Sequence, residues 1–488
     1  MKTDLHTEMV RRHLQRQSRR TFLRKSGLGL GAFALGNLLG CGQKPTLASQ
    51  NEQKIVAHFA PKAKRVIFLH MAGGPSQLEL FDYKPDLDKL DGQACPDSLL
   101  KGKRFAFIQG VPNMLGHRAN FSQYGQSGAW VSDLLPHFQQ SVDKVCMLKA
   151  VHTDEFNHAP AQFFVHTGFP RQGRPSMGSW VTYGLGSENE NLPGFVVLVS
   201  GASAPSAGKS IWGSGFLPSV YQGVQLRSQG DPVQNINNPD GLPRSLRKSA
   251  IETISKINQV QYEEMGDPET LARISQYELA FRMQMTVPEA MDIGQEPQSV
   301  HDMYGTRPGE TAFANNCLLA RRLAERGVRF IQLYHRGWDS HGSNQYESLH
   351  HGFRERCREV DQPMAALLQD LQQRGLLEET LVIWGGEFGR TPMRENRGGK
   401  TAPFDGRDHH KEAFTMWMAG GGVQAGLSYG KTDPIGYEGI SGRIHVHDLQ
   451  ATILHLLGMD HTRLTYRFQG RDFRLTDLYG EVVNDILV

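Results

Sequence analysis

The sequence has no apolar run long enough to span a bilayer, no strong excess of either charge and no paired cysteine motif. Each absence excludes something. A spanning helix needs about 20 consecutive apolar residues, and none is present. A formal net charge of +3, from 53 basic and 50 acidic residues, leaves no dominant sign. No basic stripe carries interleaved aromatics, so no nucleic-acid partner is expected. Cys41, Cys95, Cys146, Cys317 and Cys357 contain no C-x-x-C spacing, which excludes zinc-finger signatures. Which of them pair as disulfides stays open.

What is present begins with an address. Residues 18–25, SRRTFLRK, form a twin-arginine pattern followed by a Gly-rich, mildly apolar stretch from Gly27 to Gly40. The stretch ends Leu38-Leu39-Gly40-Cys41, which resembles a lipoprotein cleavage box with Cys41 as the lipidated residue. Residues 1–41 are therefore expected to be a signal and 42–60 a polar tether. The mature protein is expected in the periplasm or cell envelope, exported folded and held to a membrane through a lipid on Cys41. Twin-arginine export suits proteins that take up a metal or cofactor before crossing.

Residues 61–488 are long enough for one large α/β domain. Apolar runs expected as strands fall at 65–69, 145–151, 192–199, 328–334, 381–384 and 415–419. Helical patterns fall at 159–165, 177–185, 311–326, 354–374 and 447–457. Their alternation predicts a three-layer α/β/α fold on a mainly parallel, doubly wound sheet. Residues 243–290 read as a helical insertion with a solvated, mixed-charge face.

Polar groups gather where these strands end, which is where ligands bind in open α/β sheets. The first strand runs into His70 and a Gly-Gly-Pro-Ser turn. The run 381–384 is followed by Glu387 and a polar, Gly- and Arg-rich loop that closes on Asp408-His409-His410. The strand at 328–334 leads into Asp339 and His341. Carboxylates and imidazoles together offer ligands for a divalent ion, with zinc, manganese or calcium as the expected cofactor. The plain alternative is an Arg/His-rich surface loop. After the second strand come Thr153, Asp154, Glu155, Asn157 and His158 at a helix amino terminus, where free N–H groups and the dipole suit an oxyanion. Arg171 and Arg174 lie in a second loop suited to anions.

The pieces HMAGGPSQLELFDYKP (70–85), NHAPAQFFVHTGFPRQGRPSMGSWVTYGLG (157–186), GWDSHGS (337–343), WGGEFGRTP (384–392), GRDHH (406–410) and HDLQATILHLLGMDHTRLTYRFQGRDFRLTD (447–477) resemble a bacterial sulfatase-like family, domain of unknown function 1501. More widely they resemble the alkaline phosphatase and sulfatase superfamily. The resemblance implies an alkaline-phosphatase-like fold and a site that handles sulfate or phosphate esters. It aligns Asn157-His158 and Thr167-Gly168-Phe169-Pro170 with the nucleophile helix, but puts Asp154 where the nucleophile belongs. It implies a metal set drawn from His70, Asp339, His341, Glu387, Asp408, His409 and His410. Asp154, Glu155 and Thr153 become the catalytic candidates, with water activated by the ion as nucleophile and Asp154 or Glu155 as general base. Asn157, His158, Arg171, Arg174, Arg390 and Arg407 become the substrate contacts, arginine matching tetrahedral oxyanions with paired donors.

The expected function is an exported metal-dependent hydrolase of sulfate or phosphate esters, on a small molecule or a glycan. The alternative is a catalytically degenerate lipoprotein that binds an anionic glycan or a partner protein.

Overall fold

The structure is a computed structural model that describes residues 57–200, 204–233 and 243–488. The twin-arginine stretch, Cys41 and most of the expected tether lie outside the described residues.

In chain order the elements that build the site are β1 (Arg65–Ala72), β2 (Val145–His152), α1 (His158–Thr167), α2 (Met177–Leu185), β3 (Phe195–Val199) and β4 (Val224–Leu226). Next come α3 (Arg244–Met265), α4 (Pro268–Met291), α5 (Phe313–Glu325), β5 (Phe330–Arg336), α6 (Gly352–Gln373), β6 (Thr380–Gly385), β7 (Gly389–Arg394) and β8 (Arg407–His410). The chain closes with β9 (Phe414–Ala419), β10 (Ser428–Tyr429), β11 (Ile444–His445) and α7 (Val446–Leu456).

Nine strands form one sheet in the order β10-β2-β9-β6-β1-β5-β3-β4, with β11 also on β2. Every pairing in it is parallel except those of β9, which runs against both β2 and β6. The central strands are buried on both faces, and their period of two divides the core. Ile67, Leu69 and Met71 of β1 face one cluster with α5 and α6. Val66 and Phe68 face the other, with α1, α2 and α7. Leu381 and Ile383 alternate with Val382 and Trp384 in the same way. This is the expected three-layer, mainly parallel architecture.

Two local expectations change. The polar stretch after Glu387 is no plain loop: β7 and β8 pair as an antiparallel ribbon, His409 opposite Arg390. The segment read as a solvated helical insertion is a hairpin of α3 and α4 whose far end, at Met283, Val287 and Ala290, is buried in the core. Cys95, Cys146, Cys317 and Cys357 are all buried and unpaired. Among the described residues no helix is long and apolar enough to cross a membrane.

Candidate metal centre

Four ligand-bearing side chains converge at the carboxyl edge of the sheet. Asp339 and His341 follow β5, His409 lies on β8, and His158 opens α1. One ligand atom of each lies within 4.8 Å of the others. Asp339 is the hub. Its Oδ1 lies 2.7 Å from His341 Nε2 and 3.1 Å from His409 Nε2, and its Oδ2 lies 3.1 Å from His158 Nε2.

Behind each imidazole stands a separate acceptor for Nδ1. His158 Nδ1 donates to Glu387 (2.7 Å), His409 Nδ1 donates to the carbonyl of Phe156 (2.7 Å), and His341 Nδ1 pairs with Glu395. A carbonyl or an ionised carboxylate can only accept, so Nδ1 carries the hydrogen. In the neutral ring Nε2 then points a lone pair at the Asp339 carboxylate. His158 Nε2 is buried without a hydrogen bond of acceptable geometry. Lone pairs facing a carboxylate are repulsive unless a cation or added protons lie between them. Imidazoles held by a second acceptor and converging through Nε2 are the arrangement of metal ligands, and the donor set fits a divalent ion.

The electrostatics couple the carboxylates of the site to the cations around them. Burial opposes ionisation of Asp339, but Arg390 and the three histidines hold its carboxyl far below the usual carboxylate range. Burial likewise opposes Glu387, and His158 and His70 outweigh it. Burial lowers His158, yet Asp339 and Glu387 push it up to about 9. His409 goes the other way: burial, with Arg390 and His158 close by, outweighs Asp339 and lowers it to about 3. The Asp339 side chain is 39% exposed, so the cluster opens to solvent on its side.

Of the residues expected to ligate, Asp339, His341 and His409 meet; His158, expected as a substrate contact, is the fourth. Glu387 is fully buried and sits one shell back, accepting also from Gln162 (3.0 Å) and from the N–H of Gly73 (3.0 Å). His70 is buried among the rings of Phe68, His166 and Tyr334, with Nε2 3.3 Å from Glu387. Asp408 accepts from the N–H groups of Phe107 and Ile108 (2.8 and 2.9 Å) and groups with Glu395 and His341. His410 turns to the carbonyl of Tyr437.

The arginines divide. Arg390 is fully buried and bonds Gly74 O (2.8 Å), Arg407 O (3.0 Å) and Asp339 Oδ1 (2.7 Å), so it clamps the ligand hub. Arg407 is also fully buried. It pairs with Glu79 (2.7 Å) and donates to the carbonyls of Leu115 and Gly116. Both guanidinium groups are committed within the protein, which corrects the expectation that they face substrate. Arg174 pairs with Asp477 (3.1 Å) over the Phe169 ring, and Arg171 is exposed. Asp154 is exposed with Oδ2 3.4 Å from His445 Nε2, Glu155 is half-buried, Asn157 caps α1 without a side-chain bond, and Thr153 is buried.

Sequence reasoning missed Glu395, a lone acid between Arg394 and Asn396. It also missed Gln162, an interior helix position with no motif. Only the ribbon and the packing of α1 bring them to the site.

A family model described as "Protein of unknown function (DUF1501)" matches residues 63–487. No curated protein matches. Among solved structures, the lipoteichoic acid synthase LtaP from Listeria monocytogenes is 11% identical with a TM-score of 0.32, over 82% of this chain and 74% of that one. The phosphonate monoester hydrolase SpPMH from Silicibacter pomeroyi is 10% identical, TM-score 0.33, over 81% and 73%. The alkaline phosphatase from the Antarctic bacterium TAB5 is 11% identical, TM-score 0.32, over 81% and 98%.

Proposed function

The chain belongs to the DUF1501 family, and we propose that it is a metal-dependent hydrolase of sulfate or phosphate esters. One observation carries the reading: three imidazole Nε2 atoms, each backed by its own Nδ1 acceptor, converge on a single carboxylate. Three nitrogens and one oxygen suit zinc, iron or manganese better than calcium, which prefers oxygen throughout. An ion held there supplies Lewis acidity toward a phosphoryl or sulfuryl oxygen and lowers the pKa of a water.

The chain's own groups supply the rest. Arg390 keeps Asp339 ionised, and Glu387, Glu395 and Phe156 O fix the three rings. The amino end of α1, where Pro160 has no N–H and Ala161 bonds Asn157 O, leaves the N–H groups of His158 and Ala159 and the positive dipole end as what it offers an oxyanion. Asp154, exposed and four residues before His158, is the carboxylate left to take a proton, although its contact with His445 lowers its pKa and so weakens it as a base. Of the four arginines expected to meet substrate, Arg171 is the exposed one.

The test is metal content by elemental mass spectrometry, then turnover of an aryl sulfate and phosphate panel. About one equivalent of ion, lost in Asp339→Asn together with activity, supports the reading. A protein that stays metal-free after incubation with zinc, manganese and iron overturns it.

A second reading has its own observation. The residue at the nucleophile position is Asp154, paired with His445, and Arg390 and Arg407 are spent inside the protein. On that reading the protein binds metal and an anionic glycan or partner without turnover; metal present with no hydrolysis of any ester selects it. We further propose export by the twin-arginine route and a lipid on Cys41. Membrane fractionation with metabolic palmitate labelling, lost in Cys41→Ala, tests the lipid, and export lost when Arg19 and Arg20 are both replaced by Lys tests the route.

A further inference from the structure

Beside the metal centre stand guanidinium groups that the site's own bonding leaves unused. The Phe107 ring is edge-on to two of the ligand imidazoles, 5.2 Å from His341 and 5.4 Å from His409 between centroids. Its backbone is pinned there, because Asp408 accepts from the N–H groups of Phe107 and Ile108. Ile108 in turn forms a β-bridge with Arg397, in the hairpin of Asn396–Arg397 and Lys400–Thr401. The Arg397 guanidinium lies over the Phe107 face, 3.9 Å from the centroid. One carboxylate ties it to the ligands: Glu395 takes Arg397 Nε (2.5 Å) on one oxygen and His341 Nδ1 on the other.

That bond and the stacking fix the guanidinium plane while using only Nε. Among the described residues Nη1 and Nη2 have no hydrogen-bond partner, and the side chain is 49% exposed. Two Nη groups side by side match two oxygens of a tetrahedral oxyanion, and a guanidinium already held loses little freedom in binding one. A second guanidinium stands near His409. Arg104, exposed and without an ion pair among the described residues, lies 5.4 Å over Phe156, whose carbonyl holds His409 Nδ1. Residues 101–109 and 396–401, joined by the bridge, hold Lys101, Lys103, Arg104, Arg397 and Lys400 and no acid. One ring and one carboxylate separate Arg397 from the ligand imidazoles, so an anion on it lies beside the ligand cluster and not within it.

We propose that Arg397, flanked by Arg104, is an accessory anion subsite for a second sulfate or phosphate of a substrate whose scissile ester sits at the metal centre. The substrate class is then a molecule that carries at least two such groups. This rests on the hydrolase reading, which supplies the first of them.

Calorimetry on the full chain after incubation with zinc tests it with two probe pairs. One is the monosulfated and trisulfated forms of one disaccharide; the other is fructose monophosphate and fructose bisphosphate. In at least one pair the multiply charged probe should bind about tenfold tighter or more, and the pair that shows it names the group. Arg397→Ala should remove most of that margin while metal content by elemental mass spectrometry stays the same. Arg397→Lys should restore only part of it, since lysine lacks the paired donors. Equal affinities within both pairs, or a margin that survives Arg397→Ala combined with Arg104→Ala, overturn the proposal. So does loss of metal in Arg397→Ala, which would make the guanidinium a support for Glu395 and His341 only. Because binding is read without turnover, a chain that takes up no metal fails the hydrolase reading while the margin still judges the subsite.

Discussion

His158 has to give up a proton before it can hold a metal, and that gives the site a pH signature. In the metal-free protein its folded pKa of about 9 lies above the ordinary 6.5. Its charge therefore adds stability that is complete below pH 6.5 and is lost as pH rises through about 9, of order 3 kcal/mol at most. His341 is raised as well and acts in the same direction. His409, lowered to about 3, acts on the acid side: the unfolded chain takes its proton near 6.5 while the fold refuses it, so stability falls from 6.5 toward 3. Urea denaturation of the metal-stripped protein should therefore peak near pH 6.5. Metal affinity, measured against a chromophoric chelator, should climb with pH toward about 9, by up to about tenfold per unit for each raised imidazole that gives up a proton. A pH-independent affinity between 6.5 and 8.5 would remove His158 from the ligand set. Arg407 makes the opposite kind of prediction, about structure alone. Its pairing with Glu79, both groups fully buried, means that Arg407→Ala strands a carboxylate in the core. That should cost about 3–5 kcal/mol, whereas Arg407→Met with Glu79→Leu should cost much less. Equal losses in a denaturant comparison would show that Arg407 acts through something other than this pair.

Elements place these residues by close approach of their ends. Gly73 follows β1 at φ +120°, its N–H bonds Glu387, and an added Cβ would lie 2.7 Å from the backbone nitrogen of Asp339. Gly73→Ala should push the β5 tip away and misplace Asp339 and Glu387 together. Metal affinity should fall at least tenfold with a loss of over 1 kcal/mol in stability; an alanine variant that binds metal normally would show that the tip is not held there. Much of this arrangement was legible in the sequence. Apolar runs closed by glycine mark β1, β5 and β6 as buried strands with polar tips, with an acid just beyond the glycine at β5 and β6 and a histidine at the end of β1. The spacing at 157–170 marks α1. What was not legible is what depends on partners far along the chain. Glu395 and His409 meet His341 only because β7 and β8 pair, and arginines that look solvent-facing in a polar stretch are the cores of that ribbon. Whether His409 or His410 points inward also depends on the ribbon's register, in which neighbours alternate faces.

Across the whole molecule the ligands come from segments that folding alone brings together: α1 after β2, the β5 tip and the β8 ribbon, with the β1 and β6 tips in the shell behind. A bound ion therefore bridges both halves of the sheet and joins α1, on one helical layer, to the ribbon that Arg390 ties to β1. Such a cross-link exists only in the folded state, so the ion's binding free energy adds to folding stability. At free metal about 1,000-fold above Kd the gain is about 4 kcal/mol. Adding a strong chelator to the full chain should lower Tm clearly, and returning zinc should restore it. Asp339→Asn should melt at one temperature whether or not metal is added, below that of the chelated protein because Arg390 and His158 lose their carboxylate. Hydrogen exchange should register the loss most in α1 and in β7–β8, which the ion joins, and least in β3 and β4 at the far edge. If chelation instead left Tm and exchange unchanged, the convergence of His158, His341 and His409 on Asp339 would have to be sustained by added protons alone, and these imidazoles would be a charged structural cluster instead of a metal centre.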